Sequence, residues 1–200
     1  MTIYANGAAF DERKSRLLAL GTDVSAGKAI VDLHGNVLAY PRSGGMINPE
    51  RYELEPNSKL FRFGGGAADP QAIAKGSWWI EHREFATLLR FGATHGISVG
   101  LAMRLLCLVP PEWSDATILV RARVTRSLLA WRGVSNSVVI PPGAGHKIVN
   151  MPHQNDIAAR RLHQLFIPGL SEIKSHDPAI SIENVYRLDS KESAQGFLYL

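Results

Sequence analysis

Three short stretches of the sequence carry side chains that could do chemistry. Arg62 lies near the end of an apolar run, two residues before three consecutive glycines, where its guanidinium could make a two-pronged contact with a phosphate. Ser77 precedes Trp78 and Trp79. The two indole rings could stack on a flat ring of a ligand, and the neighbouring serine hydroxyl could hydrogen-bond an amide on that ring. Gln164 lies in an apolar run that leads into a Pro-Gly turn. The sequence thus offers a phosphate contact, a stacking surface and a polar amide.

Each of these residues also fits an ordinary structural role. Arg62 could form a surface salt bridge, and Trp78 and Trp79 could anchor the core. Gln164 could be an exposed strand residue. Only their combination, taken in chain order, points to one function.

In that order the three stretches resemble the ADP-ribosyltransferase superfamily, in particular the bacterial toxin-like class with an arginine, a serine or aromatic, and a glutamate. In that family a strand ending in arginine opens the catalytic core, and a glycine-aromatic-serine segment lines the nicotinamide pocket. A Glu-x-Glu strand then runs into an Ile-Pro turn. The resemblance covers about residues 59–188 of this chain.

The resemblance implies an NAD-dependent ADP-ribosyltransferase, or an NAD glycohydrolase, acting as a bacterial effector or toxin. NAD would be the substrate, and a protein target for modification is a possible partner. The candidate NAD-binding residues are Arg62, Gly64, Ser77, Trp78 and Trp79, and the candidate catalytic residues are Gln164 and, as the next choice, Glu183.

One departure from the family pattern concerns the acidic strand. Leu162 and Gln164 occupy the places of the two glutamates. An amide can hydrogen-bond a ribose, but it cannot balance the positive charge of an oxocarbenium-like transition state as a carboxylate does. A non-enzymatic binding or scaffold protein on the same fold is therefore the alternative function.

Composition narrows the class of protein. The chain has 200 residues, of which 46% are hydrophobic and 20% charged, which is typical of a globular domain with a substantial core. Its one cysteine, Cys107, excludes an intramolecular disulfide and a multi-cysteine zinc site. His146 and His153 are seven residues apart in a predicted loop, and we interpret them as surface histidines rather than metal ligands.

Charge and hydropathy bear on partners and localisation. The net charge of +4 is a mild bias toward anionic ligands, and the Arg160-Arg161 pair lacks the interleaved aromatics typical of nucleic-acid binding. The N-terminus has charged residues where a secretory leader would be apolar, and Arg104 interrupts the most apolar later stretch. We expect a cytoplasmic protein, or one exported without a signal peptide, with no membrane or nucleic-acid partner.

The pattern of apolar residues predicts the elements that must position the candidate site. Together they indicate an α+β fold: an ADP-ribosyltransferase-like split antiparallel sheet with covering helices and an N-terminal hairpin extension over residues 1–57, ahead of a catalytic-type domain over residues 58–200. Residues 41–57 are expected to be a loop or boundary. The predicted helices are 81–95 and 98–109, and the predicted strands are 29–33, 37–40, 59–63, 117–124, 128–131, 137–140, 165–167 and 180–188.

Overall fold

The fold is given by a computed structural model, which describes residues 2–25, 28–140, 149–151 and 162–188. The His146/His153 pair and Arg160-Arg161 lie outside the described residues. Among the helices in these ranges, none combines the length and the hydropathy needed to cross a bilayer.

The described residues contain five α-helices, two 3-10 helices and eleven strands. The α-helices are α1 (Gly7–Asp11), α2 (Arg13–Ala19), α3 (Pro70–Ala74), α4 (His82–His95) and α5 (Val99–Cys107), and the 3-10 turns are Pro111–Trp113 and Leu170–Glu172. The strands are β1 (Ile30–Val31), β2 (Val37–Ala39), β3 (Met46–Leu54), β4 (Lys59–Gly64), β5 (Trp78–Glu81), β6 (Ile118–Val124), β7 (Leu128–Ser135), β8 (Val138–Ile140), β9 (Val149–Met151), β10 (His163–Phe166) and β11 (Ile180–Arg187).

Seven of the described strands form one antiparallel sheet in the order β11-β6-β4-β5-β10-β7-β3. The predicted α+β class with an antiparallel sheet and covering helices is confirmed. The predicted N-terminal hairpin is β1 and β2, which pair with each other, and its turn is fixed by backbone N–H groups that donate to the Asp32 carboxylate.

The sheet is split at the four-residue strand β5. The first half of β5 pairs with β10, through Trp78 opposite Phe166 and Trp79 opposite Leu165. Its second half pairs with β4. Two half-sheets, β11-β6-β4 and β10-β7-β3, are thus joined only through this four-residue strand.

Helices α4 and α5 cover one face of the sheet next to β4 and β5. Ser98 caps α5 as predicted, because its Oγ accepts a hydrogen bond from the Leu101 backbone N–H at 3.2 Å. Phe85 of α4 stacks on Phe61 of β4 with ring centroids 4.1 Å apart. The helix α5 ends earlier than predicted, since Leu108 adopts a left-handed conformation that terminates it before the prolines.

The other face of the sheet carries the largest group of buried apolar side chains. Alternate residues of β6 belong to it, while Arg121 and Arg123 point to the opposite face, as the period-two pattern predicts. The half-sheets share this core, because Leu60 of β4 and Leu165 of β10 both contribute to it.

The prediction of a loop over residues 41–57 is wrong, since most of that segment is the nine-residue strand β3. Its misleading Asn48-Pro49 pair lies at an irregularity where the register with β7 shifts between Ile47 and Glu50. A proline is tolerated there because β3 is an edge strand and needs no ladder donor on its outer side.

We expect Ser98→Ala to lower the free energy of unfolding by about 1 kcal/mol, because the first turn of α5 loses its side-chain acceptor. Urea denaturation measures the change. The control is Ser175→Ala at an exposed loop position, which should leave the midpoint unchanged. An equal effect of both substitutions would contradict the capping role.

Candidate functional site

A cleft of about 280 Å³ opens where β4 and β5 separate. The last paired residues of the two strands are Phe61 and Ile80, and the cleft lies at and just beyond this point. Its walls are largely aromatic and aliphatic, and among the described residues no carboxylate lines it. The lining residues are Gly45, Phe61, Arg62, Phe63, Trp78, Trp79, Ile80, Met103, Cys107, Leu108, Val109, Trp113, Ser114, Asn136 and Gln164.

Arg62 brings the one positive charge among the described residues that line the cleft. Its guanidinium spans the gap between the strands, where Nη1 donates to the Trp78 carbonyl oxygen. The Nε atom is buried and has no hydrogen-bond partner, and no described carboxylate forms an ion pair with Arg62. Burial lowers the pKa of the guanidinium to about 10. A half-buried cation without a carboxylate partner favours an anionic ligand.

The position of the Arg62 guanidinium depends on Gly76. A Cβ atom at Gly76 would lie 2.1 Å from Nη2 and 2.3 Å from Cζ of Arg62. The glycine is therefore required for the close approach of the guanidinium to the backbone that precedes β5.

The two tryptophans of β5 occupy different environments. Trp79 is 1% exposed, belongs to the main core, and donates its indole N–H to the Gly76 carbonyl at 2.7 Å. Trp78 is half-buried and meets Phe166 edge to face, with ring centroids 5.2 Å apart. Of the two, Trp78 is the one that keeps partial solvent exposure at the cleft.

Gln164 reaches the cleft from β10 and is 8% exposed. Its Nε2 donates to the Cys107 carbonyl at 3.0 Å and to the Ser135 hydroxyl at 2.5 Å. Both amide hydrogens are used within the protein, so Oε1 is the acceptor that the side chain can offer a ligand hydroxyl. Burial raises the pKa of the Cys107 thiol to about 12, which keeps it protonated.

The remaining sequence candidates do not line the cleft. Gly64 packs against Ile73, and a Cβ there would lie 2.6 Å from the Ile73 Cδ1 atom. Ser77 accepts a backbone hydrogen bond from Ile167 through its carbonyl. Glu183 lies on the edge strand β11, where it pairs with two arginines of β6. Their assignment to NAD binding or catalysis stays a prediction.

The sequence did not indicate that residues following α5 in the chain form one wall of the cleft. Trp113 ends the 3-10 turn Pro111–Trp113, Ser114 follows that turn, and Asn136 follows β7. These residues belong to connections without periodicity, and only the chain fold brings them near Arg62. Proline and tryptophan together in a short loop were the one available signal.

A second polar cluster lies at the other end of β5. The buried Glu84 accepts from Arg132 Nη2 at 3.3 Å, and its Oε1 is 3.8 Å from His163 Nδ1. Arg132 also lies 3.7 Å from Glu81, which accepts a hydrogen bond from the Tyr52 hydroxyl at 3.1 Å. The cluster links β3, β5, β7, β10 and α4. Within the described ranges no group of three or more acidic, histidine or cysteine side chains could hold a metal ion.

Comparison with known proteins gives only distant structural matches. No family model and no curated protein matches the sequence. A chain from a structure of Tne2 in complex with Tni2 is 10% identical, with a TM-score of 0.40, covering 71% of this chain and 95% of that one. A chain from a structure of Rhs1-CT in complex with its cognate immunity protein RhsI1 is 12% identical, with a TM-score of 0.39, covering 77% and 89%. These likenesses are too distant to carry an inference about this chain.

We expect Gly76→Ala to reduce the free energy of unfolding by roughly 1 to 3 kcal/mol, because the new Cβ must displace the Arg62 guanidinium or the backbone. Urea denaturation measures the loss. The matched control is Gly7→Ala, whose Cβ would meet only the Tyr4 Cβ at 3.9 Å. Stability unchanged in both variants would show that Arg62 is not held against Gly76.

Proposed function

We propose that this protein binds NAD in the cleft between β4 and β5 and breaks its nicotinamide-ribose bond, as an ADP-ribosyltransferase or NAD glycohydrolase acting as a bacterial effector or toxin. The observation that carries the proposal is the convergence of Arg62, Trp78 and Gln164 on one cleft. They come from β4, β5 and β10, three neighbouring strands. Their order in the sheet matches the order of the motifs in the resemblance.

The charge distribution of the cleft supports a diphosphate ligand. Arg62 is half-buried, lacks a described carboxylate partner and has a buried Nε without a hydrogen-bond partner. A diphosphate oxygen would restore the interaction that burial removes, and the planar guanidinium suits two oxygens at once. The cavity of about 280 Å³ is near the lower limit for small-molecule sites, so it suits the nicotinamide-ribose end of the dinucleotide.

The proposed reaction needs little from the protein beyond binding and charge stabilisation. The N-glycosidic bond breaks and nicotinamide leaves with the bonding electron pair, so positive charge develops on the ribose. Water, or a nucleophilic side chain of a target protein, then forms a bond to the same ribose carbon and loses a proton. Trp78 would stack on the nicotinamide ring, and Gln164 Oε1 would accept from a ribose hydroxyl.

A binding protein without turnover is the second candidate. It is favoured by one observation: no carboxylate is among the described lining residues. Under the resemblance, Gln164 takes the place of a glutamate. Such a site can hold NAD through its phosphate and rings, but it lacks a negative charge to stabilise the developing cation.

Incubation with NAD, followed by assay of free nicotinamide and by mass spectrometry of candidate targets, tests the activity. Calorimetry with NAD tests binding separately. We expect Arg62→Lys to bind NAD at least about tenfold more weakly, because an ammonium cannot replace the planar contact. The control is Arg83→Lys, on the exposed side of α4, which keeps the wild-type affinity.

The outcomes separate the two candidates. Nicotinamide release that depends on Arg62 supports the enzyme. NAD binding without release supports the binding protein. If NAD does not bind to the wild type, or binds equally well to Arg62→Lys, the assignment of the cleft to NAD falls.

We expect Gln164→Glu to raise nicotinamide release by roughly two to three powers of ten, since a preorganised carboxylate near the cation contributes about 2 to 4 kcal/mol. The gain should grow with pH. Burial raises the pKa of a carboxyl group, and the Cys107 carbonyl favours the protonated form that can donate to it. The charged form appears only as pH rises through that raised pKa.

The same substitution should destabilise the fold, because a charged carboxylate gives up the donor that faces Cys107. The control is Gln71→Glu at an exposed position of α3, which should change neither stability nor release. If the wild type is already fast and Gln164→Glu changes nothing, the catalytic acid lies elsewhere, and Glu183 is the next residue to replace.

A further inference from the structure

Trp113 is an exposed tryptophan at the cleft, and packing in the hydrophobic core does not explain its position. Its side chain is 52% exposed, yet it lines the same cavity as Arg62 and Trp78. Large aromatic side chains that remain accessible beside a cavity are typical of ligand contacts, because they offer area and a π-face without further ordering.

The loop that carries Trp113 is held by a buried arginine. Arg104 of α5 is 3% exposed and donates to the Ser114 carbonyl at 2.6 Å and to the Val109 carbonyl at 3.4 Å. These two carbonyls lie on either side of Trp113 in the chain, and both residues line the cleft. Because one guanidinium bonds both ends of the loop, it fixes where the indole stands.

One edge of the Trp113 ring lies close to a glycine. A Cβ at Gly44 would lie 2.9 Å from the Trp113 Cη2 atom, and Gly44 has a φ of +66° that favours glycine. The Gly44 N–H donates to the Ser137 carbonyl, so this turn is tied to the segment after β7. The indole therefore rests on a fixed backbone surface rather than on a mobile side chain.

We infer that Trp113 is a second stacking residue of the cleft, which contacts a flat ring of a nucleotide ligand, and that Arg104 is its positioning residue. This inference rests on the proposed function for the identity of the ligand as NAD. The chemistry it requires is a heteroaromatic ring joined to a phosphate group, since the described lining residues combine several aromatic side chains with a single cation. Trp113 would then set the preference of the cleft for dinucleotides over simple phosphates.

The test compares NAD, ADP and inorganic diphosphate as probes in calorimetry with the whole chain. We expect Trp113→Leu to weaken NAD and ADP about tenfold, since each carries a base that can stack on the indole and stacking on an aromatic side chain contributes roughly that much per base. Trp113→Phe should stay within about threefold of the wild type. Diphosphate, which has no ring, should bind all three forms alike. The control is Tyr186→Leu on β11, a comparably exposed aromatic outside the cleft.

A double-mutant cycle tests the positioning role. Arg104→Lys keeps the charge but not the fork that reaches both carbonyls, so it should weaken NAD or ADP by nearly the same factor as Trp113→Leu. The double variant should then be no weaker than either single one. Circular dichroism verifies that each variant is folded. Losses that simply add would overturn the role of Arg104.

The outcomes for Trp113 are distinct from those for the proposed function. If Trp113→Leu binds NAD and ADP within twofold of the wild type, the stacking role is overturned while NAD chemistry can stand. If ADP binds in a Trp113-dependent way and NAD is neither held nor cleaved, the stacking role stands and the proposed function falls. If neither nucleotide binds to the wild type, both are overturned.

Discussion

The short strand β5 is the constraint on which the site depends. Its four residues serve two neighbours, the first two pairing with β10 and the last two with β4. Neither neighbour pairs along the whole of β5, and on the β4 side the unpaired stretch leaves a gap beside Trp78 and Trp79. The Arg62 guanidinium bridges the gap by donating a hydrogen bond to the Trp78 carbonyl across it. The cleft is thus a consequence of strand pairing rather than a defect in packing.

The half-buried charge of Arg62 lowers the stability of the fold more than a charge paired with a carboxylate would. A guanidinium removed from water needs a carboxylate or several hydrogen bonds to offset its desolvation. Here one carbonyl oxygen accepts from it, Nε has no partner, and Gly76 gives up its side chain so that the group can fit. Under the proposed function this cost is recovered when an anion binds. Functional sites often lower the stability of the folded protein in this way.

Elements with a clear period could be predicted from the sequence, and elements interrupted by turn residues could not. The alternation in β6 and the helical spacing in α4 are local signals, and Ser98 marked the start of α5. The strand β3 was missed because Asn48-Pro49 at its bulge gives a turn signal that edge position overrides. Local patterns describe the chain around each residue, but they do not report which strand lies at an edge.

The same distinction applies to the site. Arg62, Trp78 and Gln164 could be selected as candidates because each lies within four residues of a glycine or proline in the chain. Trp113 and Arg104 could not, since their roles depend on contacts between a helix end and a loop. Glu183 was selected as a carboxylate on a predicted strand. In the structure it lies on the edge strand β11 and forms ion pairs with Arg121 and Arg123.

Position 164 shows how packing and catalysis compete for one side chain. The end of α5 presents the Cys107 carbonyl to β10, and a carbonyl can only be satisfied by a donor. Glutamine supplies that donor and bonds the Ser135 hydroxyl with the same nitrogen. A charged glutamate would place two oxygens in contact there and lose the link between helix and sheet. The amide is therefore favoured by the fold wherever α5 ends against β10, and a catalytic carboxylate at this strand would need another donor to take over the Cys107 carbonyl.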